Sequence, residues 1–168
     1  MRRGGRAALA GAALAALLLL PGLGNHDLWA PDEPRYAQVA REMLQGGDWL
    51  LPHVNGRIYT DKPPGWFWLA AGLALPAGDV GAAGARLPSA LAGIALAALV
   101  GAVGARWWGT SAAVAAALVL ATSSAAFHLA RTAHLDTLPA LLTTAALSAA
   151  RSFTPSRARS WTERSFLG

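Results

Sequence analysis

Two carboxylates, Asp32 and Asp136, are the groups best able to do acid–base work in a chain otherwise poor in charge. A carboxylate at a lipid–water boundary can take a proton from an acceptor hydroxyl, and a cation close by can neutralise a phosphate leaving group. The nearby cations are Arg35 and Lys62, the latter the single lysine in the sequence. Glu33 adjoins Asp32, and Tyr36 and Tyr59, the two tyrosines of the chain, lie in the same stretch. Each residue also has a plainer reading. Asp32 and Asp136 suit helix caps, Lys62 suits a side chain snorkelling to the membrane surface, and Tyr36 falls on an apolar helix face. His128, His134 and Asp136 have spacings a metal ion can use but lack a third firm ligand. No phosphate-binding glycine loop, Ser-His-Asp order or aromatic-basic nucleic-acid signature is present.

The rest of the chain must position these groups, and its composition says in what medium. Of 168 residues 54% are hydrophobic and 14% charged, with mean hydropathy +0.37, which points to a membrane protein. The net charge of +5 does not imply nucleic acid, because the arginines gather at the ends of apolar runs, where membrane topology places them. Without cysteine, disulfides and thiolate metal sites are excluded.

Taken in order, the basic start Met1 to Arg6 and the uncharged run of residues 7–24 read as a first span with the N-terminus inside; a cleaved signal peptide is the competing reading. Asp32-Glu33-Pro34 signals a helix start. Tyr36, Val39, Ala40, Met43 and Leu44 then form one face of an amphipathic helix that stops at Gly46-Gly47 and is expected to lie on the membrane. Asn55-Gly56 predicts a two-residue hairpin turn. Asp61-Lys62-Pro63-Pro64 predicts a stiff extended segment, and Gly65 to Leu75 a short interfacial helix. Further spans are expected at 87–105, 111–129 and 137–150, and residues 151–168 as a solvated, disordered basic tail. The expected fold is therefore an all-α integral membrane protein with about four transmembrane helices and a large outer first loop, 25–86, carrying interfacial amphipathic helices. On this topology Asp32 and Asp136 face the same side. The loop's retained Arg35, Arg41, Arg57 and Lys62 run against the positive-inside preference, and an anionic ligand would account for them.

At these residues the sequence resembles a known family. Pro31-Asp32-Glu33-Pro34-Arg35-Tyr36, Gly47-Asp48-Trp49-Leu50, Pro52-His53, Asn55-Gly56, Tyr59, Lys62-Pro63-Pro64, Ala85-Arg86-Leu87-Pro88-Ser89-Ala90 and Ala130-Arg131 through Leu135-Asp136 look like the N-terminal part of the GT-C glycosyltransferases. The branch resembled contains bacterial aminoarabinose (lipid A) transferases and dolichyl-phosphate-mannose protein mannosyltransferases. The resemblance covers roughly residues 7 to 150. It implies a sugar donor carried on polyprenyl phosphate, a lipid or protein acceptor, and inverting transfer at the outer membrane face. It also implies a bacterial inner membrane location, with the N-terminus cytoplasmic and the catalytic loop periplasmic or extracellular. Asp32 and Asp136 match the family's acidic catalytic positions; Lys62 matches the lysine that meets the donor phosphate, and Arg35, Tyr36, Tyr59 and Glu33 match first-loop positions around the substrate. Asp61 stands where the family often has glutamate. The resemblance assigns no resident cofactor or metal ligand here and leaves a divalent metal open. Family members are several hundred residues long, which implies an N-terminal fragment, incomplete as an enzyme. The alternative is a non-catalytic membrane module, a transporter piece or lipid-binding subunit; the near absence of polar residues within the runs, serine and threonine apart, speaks against a transport path.

Overall fold

Alanine, leucine and glycine fill the long apolar runs, and these fold as helices whose small residues let backbones approach closely. The structure, a computed structural model, describes residues 2–153. Its elements are α1 (Arg2–Leu19), α2 (Asp32–Gly46), the strands β1 (His53–Val54) and β2 (Arg57–Ile58), α3 (Gly65–Ala74) with a 3-10 turn at Leu75–Ala77, α4 (Ala82–Trp107), α5 (Thr110–Thr122), α6 (Ser124–Arg131) and α7 (Thr137–Phe153).

Helix α4 is the axis of the fold. It is 26 residues long and apolar enough to cross a bilayer. Against it α1 packs so tightly that a methyl group added at Gly101 would sit 2.6 Å from the Ala7 carbonyl oxygen, and one at Gly11 would sit 2.7 Å from that of Ala97. Ala15, Leu19, Leu23, Ala90, Ala97 and Ala130 form the core between α1, α4 and α6.

The expected spans are only partly recovered. The 111–129 run is not one rod: it breaks at Ser123, and α5 and α6 diverge by 62°. Ser123 adopts an extended backbone, and Val119 and Leu120 carbonyls accept its N–H to close α5. The first run is helical only as far as Leu19 and then turns through residues 20–24. The fourth continues past Ala150 to Phe153, so Arg151, expected to open the tail, is helical and lies 4.7 Å over the Trp107 ring. Residues 154–168, the remainder of the expected tail, lie outside the described residues.

The first loop builds a second core. Tyr36, Val39, Ala40 and Met43 of α2 are buried against Trp66, Phe67, Ala70 and Ala71 of α3. The expectation that α2 lies with its apolar face on the membrane is therefore corrected: α3 covers that face. It is α3 that presents apolar side chains outward, with Trp68, Leu69 and Leu73 exposed. Gly47 ends α2 in the left-handed region, φ 74°, its N–H donating to the Met43 carbonyl.

The hairpin forms where expected. Asn55 and Gly56 both take positive φ, 52° and 71°, and His53 pairs with Ile58 in an antiparallel ladder. Two strands of two residues cannot hold themselves. The Glu42 carboxylate of α2 accepts the Asn55 and Gly56 N–H groups at 2.6 and 3.1 Å and fastens the turn to the helix.

Candidate active site

The site rests on a buried ion pair that joins distant parts of the chain. Glu33, in the first turn of α2, and Arg86, in the first turns of α4, meet with their side chains 3% and 7% exposed. Arg86 uses all five of its N–H donors. Nε and Nη2 donate to the two Glu33 oxygens at 2.9 and 2.8 Å, and Nη1 and Nη2 donate to the Leu23, His26 and Asp27 carbonyls at 2.8–2.9 Å. Glu33 in turn accepts the backbone N–H of Trp29 at 2.7 Å and of Ala133 at 2.6 Å. Burial pushes its carboxyl pKa up, but the hydrogen bonds from Arg86, Trp29 and Ala133 outweigh that and hold it below the ordinary value of 4.5. Every acceptor position of Glu33 is thus engaged in tying the first loop to the segment after α6. This geometry gives Glu33 a fastening role, while the residue also borders the cavity at the start of α2.

Two more ties fix the same junction. The buried Ser89 hydroxyl of α4 donates to the His134 carbonyl at 2.7 Å and accepts the Trp66 indole N–H at 3.3 Å. Arg131 ends α6 and donates to the Leu18 and Leu19 carbonyls at the C-terminus of α1 and to the Pro21 carbonyl in the turn after it. A cation there satisfies orphan carbonyls and complements the helix dipole.

With these ties in place, the α2 start and the 132–136 segment face each other across a cavity of about 220 Å³ lined by Trp29, Ala30, Pro31, Asp32, Glu33, His128, Thr132 and His134. Asp32 does not cap α2; Pro31 holds the cap position with no side-chain bond, and Asp32 accepts a hydrogen bond from the Arg35 guanidinium. That pair is exposed by about two-fifths and one-third on its two side chains (42% and 35%). Exposed pairs are weak, about 0–1 kcal/mol, so a ligand can displace Arg35 from Asp32.

Arg35 also lies 5.5 Å over the Tyr36 ring. The Tyr36 ring meets His134 edge-on at 6.5 Å. Tyr59, buried and packed on Phe67, feels the charges of Arg35, Asp61 and Asp32, and burial chiefly pushes its phenol pKa up. The hydroxyl therefore stays a proton donor at neutral pH.

Asp136 is exposed and does not line this cavity. It sits at the edge of a neighbouring apolar cavity of about 310 Å³ beside Leu19, Gly93, Phe127 and Ala130. Its link to Asp32 is His134, whose Nδ1 lies 3.7 Å from Asp136 Oδ2 and whose ring borders the Asp32 cavity. Lys62 stands exposed between β2 and α3, outside the lining of the cavity and, among the described residues, with no ion pair. The arrangement thus groups Asp32, Arg35, Tyr36, Tyr59 and His134, reaches Asp136 through His134, and leaves Lys62 at the loop surface. Among the described residues no three acidic or histidine side chains gather as a metal cage.

In the sequence Arg86 stands directly before the 87–105 run, the ordinary place of a membrane-boundary arginine, and its pairing with Glu33 is visible only in the fold. The signal was an arginine followed by Leu-Pro-Ser in a helix start, ahead of the longest apolar run. Trp29 and the two histidines were likewise not assigned to the Asp32 cavity.

The family model for dolichyl-phosphate-mannose-protein mannosyltransferases matches residues 6–168, nearly the whole chain and further than the expected end near Ala150. The chain belongs to this family. Similar curated members are the undecaprenyl phosphate-alpha-4-amino-4-deoxy-L-arabinose arabinosyl transferases of Pseudomonas savastanoi pv. phaseolicola, 55% identical over 60 residues, and of Pectobacterium carotovorum subsp. carotovorum, 52% identical over 56 residues. Those alignments cover 34% and 33% of this chain and 11% and 10% of the relatives. The fold matches crystal structures of ArnT from Cupriavidus metallidurans, in the apo state and bound to undecaprenyl phosphate, each with TM-score 0.76 and 30% identity over 83% of this chain and 26% of that one. The chain thus spans about a quarter of the solved ArnT chain, and its alignments cover about a tenth of the curated relatives' length. The helical membrane architecture of the family accounts for the apolar runs.

Proposed function

We propose that the chain carries the catalytic first loop of a glycosyltransferase that moves a sugar from a polyprenyl-phosphate donor to a lipid or protein hydroxyl at the outer face of a bacterial inner membrane. The observation that carries the reading is the cavity at the start of α2, where Asp32 meets a displaceable Arg35 and a histidine leading to Asp136. Similarity to arabinosyl transferases and to an ArnT structure holding undecaprenyl phosphate supports the donor class.

In this mechanism the acceptor hydroxyl attacks the anomeric carbon from the side opposite the phosphate, which inverts that centre. Asp32 takes the hydroxyl proton as the new C–O bond forms. The bond from the anomeric carbon to the phosphate oxygen breaks, and polyprenyl phosphate leaves with its charge met by Arg35 and Lys62. Arg35 released from Asp32 frees the base and supplies a cation in one movement. Tyr36 and Tyr59 wall the site, and Asp136 orients acceptor or base through His134. Four spans with the N-terminus cytoplasmic put this loop outside; α4, the bent α5–α6 pair, α1 and α7 supply them in the complete membrane assembly.

The test is transfer of labelled sugar from a polyprenyl-phosphate donor by membranes containing the longest reading frame that includes this chain. Asp32→Asn lowers kcat by at least about 100-fold, the scale of a lost general base, while protein level and membrane insertion are unchanged. Activity within a few-fold of wild type removes Asp32 as the base.

A further inference from the structure

The end of the bundle away from the Asp32 cavity carries chemistry of its own. Arg86 and Arg106 stand 20 positions apart on α4, about 30 Å at 1.5 Å per residue, which is the thickness of a bilayer's hydrocarbon core. Trp107 and Trp108, ring centres 5.3 Å apart and both side chains exposed, therefore stand at the opposite membrane surface, where tryptophan prefers to lie. Three helices meet here. As α4 ends, α7 brings Arg151 over the Trp107 ring, and α1 begins close by, since a methyl group at Gly4 would lie 3.7 Å from the Ala102 carbonyl oxygen.

At this end α4, α5 and α7 line a cavity of about 710 Å³, with Val100, Val103, Ala112, Ala116 and Leu147 among its walls. The Thr144 and Ser148 hydroxyls in its lining donate to carbonyls one turn back along α7, both at 2.7 Å, and so add little polarity. A second cavity of about 250 Å³ shares Val103, Trp107 and Ser148 with the first. An arginine borders each: Arg151 the larger, Arg106 the smaller. Arg6 and Arg106 are exposed, and among the described residues α1, α4, α5 and α7 hold no aspartate or glutamate to balance these cations. Cations without carboxylates, at a membrane surface and beside an apolar groove, match a ligand with a negative head and a hydrocarbon tail.

We infer that this groove holds one anionic phospholipid of the leaflet opposite the Asp32 cavity, with an acyl chain along α4, α5 and α7 and the phosphate at Arg106 and Arg151. Charge complementarity decides the occupant. A further apolar helix of a longer polypeptide would fill the groove but leave the arginines unmatched, whereas a lipid phosphate meets them. The larger cavity is on the scale of small-molecule sites, roughly 300–1,000 Å³. A lipid so placed ties α7 to α4, and it does so at the far surface from the proposed transfer chemistry.

The experiment uses the longest reading frame containing this chain, in detergent, with phosphatidylglycerol and phosphatidylethanolamine of identical acyl chains as probes and native mass spectrometry to count the lipid retained. Wild type should hold one phosphatidylglycerol at least about tenfold more tightly than phosphatidylethanolamine. Arg106→Gln should weaken phosphatidylglycerol about fivefold, the worth of one basic side chain at an anionic surface, and leave phosphatidylethanolamine within about twofold. Ala116→Trp, at an exposed position, fills the groove; it should lower retention of both lipids while the lipid-free protein melts within about 2 °C of wild type. Equal retention of the two lipids by wild type, or phosphatidylglycerol retention indifferent to Arg106→Gln, overturns the inference. So does an Ala116→Trp protein that keeps full retention, or one that melts lower without lipid, because polypeptide then fills the groove. None of these readings involves sugar transfer, so they stand or fall apart from the proposed activity.

Discussion

Removing the Glu33 carboxylate is the perturbation with the largest expected effect on the fold. Glu33→Ala deletes four hydrogen bonds at once, two from Arg86 and one each from the Trp29 and Ala133 backbone. The guanidinium left behind is 7% exposed and still held by three carbonyls, so it cannot swing into water. Leaving one partner of a buried ion pair uncompensated costs about 3–5 kcal/mol. For a chain of this size each kcal/mol moves the melting temperature by about 2–4 °C, so the variant melts roughly 6–20 °C lower. The double variant Glu33→Leu/Arg86→Met replaces both charges by apolar groups and should be less destabilised than the sum of its single changes, because an apolar pair carries no desolvation penalty. Thermal unfolding in detergent, followed by near-ultraviolet circular dichroism on wild type, Glu33→Ala, Glu33→Leu, Arg86→Met and the double variant, reads this directly. A Glu33→Ala protein that melts within about 2 °C of wild type, or a double variant whose loss equals the sum, refutes the ion pair as the fastening of the loop.

Acid tests the same tie with the sign fixed: the lowered Glu33 pKa means that its contribution is present above its unfolded value near 4.5 and is lost as pH falls through the folded value. Stability measured from pH 6 downward should therefore fall below about pH 4.5 in wild type, and less steeply in the apolar double variant. Glu42→Ala should release the hairpin at a cost of about 1–3 kcal/mol, seen as faster amide exchange at Asn55 and Gly56 with the rest of α2 still protected. Gly101→Val brings a branched side chain against the Ala7 carbonyl and should cost about 1–3 kcal/mol by prising α1 from α4, which lowers the melting temperature; Gly46→Ala, with open space around it, should not.

Local chemistry was legible in the sequence wherever it is settled by neighbours along the chain. The Asn55-Gly56 turn, the Gly47 stop of α2 and the spacing of Tyr36, Val39, Ala40 and Met43 all follow from backbone freedom and helical period. What covers an apolar face does not. The stripe on α2 fits a membrane surface as well as it fits α3, and only the fold brings Trp66 and Phe67 onto it. The break at Ser123 was hidden because the flanking alanines and leucines keep the hydropathy of a single span. Arg86 was hidden for a different reason: an arginine at the edge of an apolar run is the ordinary mark of a membrane boundary, and its carboxylate partner lies 53 residues earlier. Of the candidate site, the acidic and aromatic members were readable as types, but the histidine that joins Asp136 to the Asp32 cavity needed the fold.

The central claim is that positions 32 and 136 open to one and the same outer face of the membrane. The natural absence of cysteine lets single cysteines at Asp32 and Asp136 be probed in intact cells with a membrane-impermeant maleimide, without background. The account predicts that both are labelled from outside, and that Arg106→Cys is labelled only after the cells are opened. Labelling of positions 32 and 136 from opposite faces would contradict it.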